Sequence, residues 1–386
     1  MLDITAASAQ SEPEFAALVD AIAADPDRRA QLIELLREDH PFYRQRASTA
    51  IVRMRGWVLF ALARTGVPDA ALIFVLEELE TGVDAYLVAA AARALRACHH
   101  PTDTLAPFVM RALTNIRYRD EPVSFESYGE YATSSTGTSP VRELLATLTW
   151  LGPLARGIVP ELESLRAQVR GKLRIDIDRA LQAIRSADRA AEAGPHPCCG
   201  SSNEPASTNS WAPDARRDCG PVESIVFEDH DGQPITFGQF FRGQPSIVAF
   251  FYTRCDNPMK CSLTVAKLAR VQKLLEAHGL TDQMRTAAIT YDPAFDIPER
   301  LRIYGQDRGV RLDANHRMLR AVDRNDVLDG YFELGVNFIK SLVNRHRIEA
   351  YILDAKGRIA VSFERIHWDE QQIVRRAIEV LYEKES

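Results

Sequence analysis

The chain has 386 residues, of which 46% are apolar and 26% are charged, as in an ordinary soluble globular protein, and this length predicts two or three domains. The formal net charge of −6 argues against nucleic acid as the main partner. The N-terminal stretch MLDITAASAQSEPEF has neither the basic nor the apolar region of a signal peptide, and no apolar run approaches the ~18 residues of a membrane span. We therefore expect a cytoplasmic protein with no membrane span.

The first half of the chain is predicted to be helical, because apolar residues recur at helical spacing and almost nothing alternates as a strand would. A weak internal repeat is present: Phe60–Leu79 resembles Arg93–Leu113, and a third copy ends at Leu165 after the polar insert Glu121–Ser139. Helix pairs that repeat every ~30–45 residues are typical of an α-solenoid. We predict a helical repeat domain over residues 1–189, similar to HEAT or armadillo repeats; the alternative is an irregular helical domain.

Three residues at the end of one predicted helix, Cys98, His99 and His100, have the side chains of a metal site. Polar and cationic residues are routine at a helix C-terminus, and adjacent residues on a helix face different directions. The pattern therefore favours an ordinary helix end over a metal site.

The composition changes between residues 190 and 221, where Pro, Gly, Ser and Asn dominate and no periodicity survives. Such a segment is typical of a flexible linker between domains. It carries three of the six cysteines, Cys198, Cys199 and Cys219. These thiols, together with the imidazole of His196, could hold a soft ion such as Cu(I) or Zn(II); the thiols could also relay disulfide exchange to the next domain as auxiliary thiols, or be exposed cysteines without a role.

From residue 222 to residue 386 strand and helix patterns alternate, which indicates an α/β domain after the helical one. A βαβ unit comes first, and a β-hairpin and a terminal helix follow. This order is thioredoxin-like, so the predicted fold class is α plus α/β in two domains. The predicted elements are the strands Ser224–Asp229, Ser246–Thr253, Met284–Asp292, Ile348–Asp354 and Arg358–Phe363 and the helices Leu263–Ala277, Pro298–Gly305 and Asp369–Leu381.

Two cysteines follow the most apolar strand of this domain. Cys255 lies just past the run Ile247–Tyr252, and Cys261 lies six residues later, at the start of an amphipathic helix. A helix N-terminus favours the thiolate over the thiol, and Arg254 and Lys260 add positive charge beside the sulfurs. The segment therefore predicts a reactive thiol pair.

Three segments of this domain carry a family resemblance: FFYTRCDNPMKCSLTVAKL, ITYDPAFDIPERLRIYG and RHRIEAYILDAKGRIAVSF. In this order they are similar to the Sco/SenC family, the thioredoxin-fold copper proteins linked to cytochrome oxidase assembly. The resemblance implies that Cys255, Cys261 and His346 are copper ligands. Two thiolates and one imidazole suit Cu(I) and also hold Cu(II), so we expect one copper ion per chain. Asp292 would follow a strand near the site, where it either orients a ligand or caps the next turn.

The cysteine spacing departs from that family, which usually has three residues between the cysteines where this chain has five. Six residues of regular helix place two side chains about 120° apart, so one ion could not reach both sulfurs. A shared site requires a loop from Cys255 to Asn257 and a helix that begins at Pro258, since proline is favoured in a first turn. The two arginines that flank His346 would disfavour both a protonated imidazole and an approaching copper ion.

The leading hypothesis is a copper-binding thiol protein that delivers copper to, or exchanges disulfides with, a partner protein that the helical domain selects. The alternative is a metal-independent thiol–disulfide oxidoreductase or peroxidase, in which Cys255 attacks and Cys261 resolves. A third hypothesis is a non-catalytic assembly scaffold, against which the complete Cys–Cys–His set argues. His230, His278 and His316 are given structural roles, with His316 expected at the surface, and His367 has either such a role or a place near the site.

Overall fold

The computed structural model describes residues 11–125, 137–186, 217–339 and 342–383. The chain divides into two compact units, Met1–Asn203 and Glu204–Ser386, and each buries its own set of apolar side chains. Among the helices of the described residues, none is long and apolar enough to cross a bilayer.

The first unit is largely helical, as predicted, and its described residues contain isolated bridges but no strand. The HEAT-like repeat of these helices stays a prediction. The helices are α1 (Glu12–Ala24), α2 (Gln31–Glu34), α3 (Ser48–Thr65), α4 (Asp69–Thr81), α5 (Ala85–Leu95), α6 (Ala106–Ile116), α7 (Pro140–Leu151), α8 (Val159–Gln168) and α9 (Lys172–Arg185), with 3₁₀ turns at Pro26–Arg28, Pro41–Tyr43, Asp103–Leu105 and Gly152–Ile158.

Helix α5 packs closely against both α3 and α7, and its sequence explains why. AYLVAAAARAL combines good helix formers with small side chains, so neighbouring helices can approach it. Gly56 on α3 is required at this contact, because a Cβ there would lie 2.2 Å from Cε1 of the Tyr86 ring. Asp84 begins the helix by accepting hydrogen bonds from the N–H groups of Tyr86 and Leu87 at 3.0 and 3.1 Å.

A buried carboxylate joins α5 to α7. Glu143 on α7 is 4% exposed, and it accepts hydrogen bonds from Arg93 Nη2 at 2.7 Å, from Arg96 and from the Thr138 hydroxyl at 2.7 Å. Burial alone would raise the pKa of Glu143, but these hydrogen bonds and the nearby positive charge outweigh burial and lower it. The folded unit therefore stabilises the charged form of Glu143.

The second unit contains a mixed seven-stranded sheet, a separate two-stranded sheet and helices, the thioredoxin-like α/β architecture that the sequence predicts. Its strands are β1 (Val226–Asp229), β2 (Pro234–Thr236), β3 (Ser246–Phe251), β4 (Arg285–Thr290), β5 (His316–Ala321), β6 (Val336–Ile339), β7 (Leu342–His346), β8 (Glu349–Leu353) and β9 (Ile359–Glu364). Its helices are α10 (Phe237–Phe241), a π-helical turn (Pro258–Ser262), α11 (Leu263–Ala277), α12 (Pro298–Asp307), α13 (Asn325–Phe332) and α14 (Glu370–Tyr382).

Strand β3 lies inside the sheet, whose strand order is β2-β1-β5-β4-β3-β8-β9. Val248 of β3 is paired with Ala287 of the parallel strand β4 and with Tyr351 of the antiparallel strand β8. All residues of β3 are buried, because a strand with neighbours on both sides and cover on both faces needs a continuous apolar run. The carboxyl end of β3 therefore leads directly from the core into the cysteine segment.

Two features of the second unit differ from the sequence prediction. The segment 308–347 contains β5, α13 and the hairpin β6–β7, which pairs with itself outside the main sheet. The expected surface position of His316 is wrong: the side chain is fully buried in β5, and Nδ1 lies 2.9 Å from the Thr286 hydroxyl. The polar side chains of HRMLRA hide this strand in the sequence, because neighbouring strands provide their partners only in the folded sheet.

We expect Glu143→Gln to lower the free energy of unfolding of the first unit by about 2 kcal/mol at pH 7, because it replaces charged hydrogen bonds to two partly exposed arginines by those of a neutral amide. The folded-state pKa of Glu143 is lowered, so its stabilisation is complete above the unfolded value of ~4.3 and is lost as the pH falls through the folded value. Urea unfolding at pH 7 and pH 3 measures both effects.

The matched control is Glu163→Gln, which removes one partner of a half-exposed pair with Arg185. Screening by solvent limits its effect to less than about 0.5 kcal/mol. An equal loss of unfolding free energy in the two variants would contradict the stabilising role of the buried Glu143 carboxylate.

Candidate metal centre

The cysteine segment begins where β3 ends, and Asp296 fixes this exit from the sheet. The N–H of Thr253 donates to Asp296 Oδ2 at 3.1 Å, and the Thr253 hydroxyl donates to Oδ1. Asp296 is fully buried and also accepts from the hydroxyl of Thr290 at the end of β4. Burial raises the pKa of Asp296 against these hydrogen bonds. The chain is thus held two residues before Cys255.

A wide helical turn carries the second cysteine. Residues Pro258–Ser262 form one π-helical turn, and α11 continues from it. Asn257 caps the turn, because its side-chain oxygen accepts a hydrogen bond from the N–H of Met259 at 2.9 Å. The helix thus begins where the five-residue spacing requires, and both sulfurs face the same space.

Three potential ligand atoms converge beside this turn. His346 Nε2 lies 3.6 Å from Cys255 Sγ and 3.4 Å from Cys261 Sγ, and all three atoms lie within 4.8 Å of one another. In the part of the chain that the structure describes, this is the one group of three or more Cys, His, Asp or Glu side chains with metal-binding spacing. His346 ends β7 and lies 85 residues beyond Cys261. The fold therefore brings together the three residues that the sequence named as ligands.

The imidazole of His346 is oriented so that Nε2 can act as a ligand. Nδ1 lies 2.8 Å from the main-chain oxygen of Arg347, so Nδ1 carries the proton and donates it. Nε2 then faces the sulfurs: with a proton it donates to the Cys255 thiolate, and without one it presents the lone pair by which histidine binds a metal. Tyr252 packs edge-on against the ring at a centroid distance of 5.3 Å, and Tyr291 packs at 5.4 Å. One hydrogen bond and two aromatic contacts therefore hold the ring.

The two thiols differ in exposure and in charge. Cys255 is half-buried, whereas Cys261 is 1% exposed. The hydrogen bond that Cys261 donates, helped by His346 and opposed by burial, lowers the pKa of Cys255 to about 3. Burial and the adjacent Cys255 sulfur raise the pKa of Cys261. In the metal-free protein Cys255 is therefore the thiolate and Cys261 the thiol.

The two cations that the sequence places beside the sulfurs each have a hydrogen-bond acceptor. Arg254 Nε donates to Asp292 Oδ2 at 3.0 Å, and its guanidinium lies 4.0 Å from the ring centroid of Phe295. Lys260 Nζ donates to the main-chain oxygen of His346 at 2.8 Å. Asp292 is buried and holds Arg254; that it also orients a ligand stays a prediction.

Sequence reasoning missed Glu349, which is fully buried at the start of β8. Its Oε1 accepts hydrogen bonds from Arg347 Nε and from the N–H of Gly335, both at 2.7 Å, and its other oxygen accepts from the hydroxyl of Tyr291. Arg347 also pairs with Glu364 at 3.0 Å. The available sequence signal for a buried carboxylate was the acidic residue at the start of the otherwise apolar strand EAYIL. These carboxylates compensate the positive charge of Arg347 beside the candidate site.

The other thiols lie away from this cluster or outside the described residues. Cys198 and Cys199 fall in the undescribed range 187–216. Cys219 is 5% exposed, and its Sγ lies 3.1 Å from the main-chain oxygen of Lys356, in the turn at the far end of β8. Cys98 is buried and belongs to no metal-binding cluster of the described residues. The structure thus brings no third thiol from its described residues to the candidate site.

Comparison with known proteins connects the second unit to one family. Residues 222–381 match the family model described as SCO1/SenC, which confirms the resemblance read from the sequence for this part of the chain. No curated protein matches the chain.

Solved structures similar to the chain include a SCO1/SenC family lipoprotein from Bacillus anthracis, 22% identical over 41% of this chain and 94% of that chain, with a TM-score of 0.36. Copper-bound ScoI of Bradyrhizobium japonicum is 17% identical over 40% of this chain and 96% of that chain, with a TM-score of 0.33. Copper-bound yeast Sco1 is 23% identical over 41% of this chain and 90% of that chain, with a TM-score of 0.32.

Iodoacetamide is expected to alkylate Cys255 at least about tenfold faster than Cys261 in the reduced, metal-free protein at pH 6, because Cys255 is the accessible thiolate. The Cys255 rate should stay level between pH 6 and pH 8, since its lowered pKa lies well below that range. Peptide mapping by mass spectrometry measures each site. A Cys255 rate that climbs with pH as that of a free thiol does would contradict this assignment.

Proposed function

We propose that this chain binds one copper ion through Cys255, Cys261 and His346 and delivers it to a partner protein. The convergence of two sulfurs and one imidazole nitrogen within 4.8 Å carries the proposal. Soft thiolates select Cu(I), and the imidazole allows the same site to hold Cu(II). The SCO1/SenC match over residues 222–381 supports this function, because copper-bound members of the Sco family are known.

The donor set favours copper over the commoner divalent ions. Calcium and magnesium prefer oxygen ligands, and the cluster provides none from a carboxylate. Structural zinc usually takes four protein ligands, whereas the described cluster contains three side chains; three-ligand zinc sites, which keep a water in the fourth position, have the same donor set, so zinc is the competing ion in the copper titration. Two soft thiolates beside one imidazole, in a site whose Cys261 and His346 are buried, fit Cu(I) well.

Delivery requires one ligand to be open to an incoming thiol, and Cys255 is the accessible one. Cys261 and His346 are 1% and 5% exposed, whereas Cys255 is half-buried. A partner cysteine that approaches from the Cys255 side can bind the ion before the two buried ligands release it. In this proposal the helical unit selects the partner, as helical repeat domains do in other proteins.

Titration of the reduced protein with Cu(I) is expected to give about one tightly bound ion per chain. The Cys255→Ser, Cys261→Ser double variant should lose this binding, and His346→Ala should weaken Cu(II) binding at least about tenfold. Competition with a Cu(I) chelator and absorption of the Cu(II)–thiolate form measure the two states. A double serine variant that binds copper as tightly as the wild type would refute the proposal.

Two matched controls test whether replacing a cysteine or histidine outside the proposed site also weakens copper binding. Cys219→Ser removes a buried thiol at the far end of β8, and His278→Ala removes an exposed imidazole at the end of α11. Both variants should bind copper as the wild type does.

The difference between the two thiols also supports a second function, that of a metal-independent thiol–disulfide oxidoreductase. The Cys255 thiolate would attack a partner disulfide, form a mixed disulfide and release one partner thiolate. Cys261 would then lose its proton and attack the Cys255 sulfur, which releases the second partner thiolate and leaves a Cys255–Cys261 disulfide. The partner gains two electrons, and the cysteine pair loses them.

His346→Ala separates the two functions. If disulfide exchange is the function, this variant should reduce a small disulfide substrate within about threefold of the wild-type rate, whereas Cys255→Ser is inactive. Copper binding should then be no tighter in the wild type than in the double serine variant. Loss of disulfide reduction in His346→Ala would contradict the metal-independent function.

A further inference from the structure

The three proposed ligands come from two parts of the fold that no strand pairing joins. Cys255 and Cys261 follow β3 of the seven-stranded sheet, whereas His346 ends β7, which pairs with β6 in a separate two-stranded sheet. Such a hairpin can move relative to the main sheet up to the point where the chain re-enters it, at Glu349 of β8, three residues after His346. The distance between the imidazole and the sulfurs therefore depends on contacts between this hairpin and the cysteine turn.

Lys260 makes such a contact from inside the π-helical turn. It precedes Cys261, is 7% exposed, and donates a hydrogen bond from Nζ to the main-chain oxygen of His346 at 2.8 Å. We call this hydrogen bond the hairpin–turn contact. A charged donor forms a stronger hydrogen bond than a neutral one, and burial makes its loss costly because water does not easily replace it.

The other contacts near His346, made by Arg347 and Tyr252, do not join the main chain of the hairpin to the cysteine turn. The N–H of Arg347 donates to the oxygen of Gly335 at 3.0 Å within the hairpin region, and the Arg347 guanidinium binds Glu349 on β8. The first bond closes the hairpin region on itself and the second attaches it to β8, and neither reaches the cysteine turn. Tyr252 touches the imidazole edge-on, which limits the tilt of the ring without fixing the main chain of His346.

We propose that Lys260 is a positioning residue whose hairpin–turn contact holds the His346 imidazole against the two cysteine sulfurs. This inference rests on the proposed copper site. Lys260 is one of the five residues between the cysteines. The π-helical turn that contains it places Lys260 beside the hairpin.

The two oxidation states of copper should respond differently to loss of this contact. Two thiolates remain after Lys260 is replaced, and soft thiolates alone still bind Cu(I). Cu(II) depends more on the imidazole nitrogen, which the released hairpin no longer presents. Lys260 therefore determines whether the site offers two ligands or three.

The test compares Lys260→Met, which keeps the apolar stem without the amine, with Lys260→Gln, which ends one bond too early to reach His346. The matched control is Lys267→Met, which removes a lysine paired with Glu370 on α14 at 3.1 Å. Amide hydrogen exchange of residues 342–348 in the metal-free protein gives one measurement. The nitrogen hyperfine signal of His346 on bound Cu(II) and the affinities for both copper ions give the others.

Both Lys260 variants should exchange the amides of residues 342–348 at least about tenfold faster than the wild type. They should also lose the His346 nitrogen signal and bind Cu(II) about 10–100-fold more weakly, while Cu(I) affinity changes less. Lys267→Met should match the wild type in all three measurements. If Lys260→Met does not fold, Lys260→Gln alone decides.

Wild-type exchange rates together with an intact nitrogen signal in a Lys260 variant would overturn the inference. The exchange measurement needs no metal, so it separates this failure from failure of the proposed function. A wild type that binds no copper refutes the copper site. Unchanged exchange in the Lys260 variants refutes the positioning role even when copper binds.

Discussion

Two sulfurs separated by five residues must face one imidazole, and this constraint governs the arrangement of the whole candidate site. A regular helix would turn them apart, whereas a loop followed by the turn Pro258–Ser262 brings them together. The cap from Asn257 begins the turn at the required residue. The fully buried strand β3 ends just before the cysteine segment, so the position of the site is determined by the core of the sheet.

Charge compensation is the second condition for a site built from thiolates. Arg254 is paired with Asp292, and Arg347 is paired with Glu349 and Glu364. These pairs keep the two guanidinium groups from acting as isolated cations that would repel a metal ion. Independently of these pairs, Nε2 of His346 faces the sulfurs because Nδ1 donates to the main-chain oxygen of Arg347.

The sequence predicted the parts of the fold whose signals are local. Strand β3 is a continuous apolar run, and Cys255 and Cys261 flank a proline that begins a helix, so both were readable without a structure. Glu349 was not, because its partners come from other segments of the chain. His316 was placed at the surface for the same reason: its strand is polar in sequence, and the partners that allow its burial, such as the Thr286 hydroxyl, come from other segments. The convergence of His346 with the cysteines came from family resemblance, since a separation of 85 residues carries no local signal.

The position of His346 on a hairpin outside the main sheet has a thermodynamic consequence. A ligand that is in place for only a fraction of the time weakens the apparent affinity by that same fraction, so a hairpin closed about one-tenth of the time costs tenfold. In the proposed copper site, a substitution or a bound partner that drew the hairpin away from the cysteine turn would lower the affinity in this way without changing any coordinating atom.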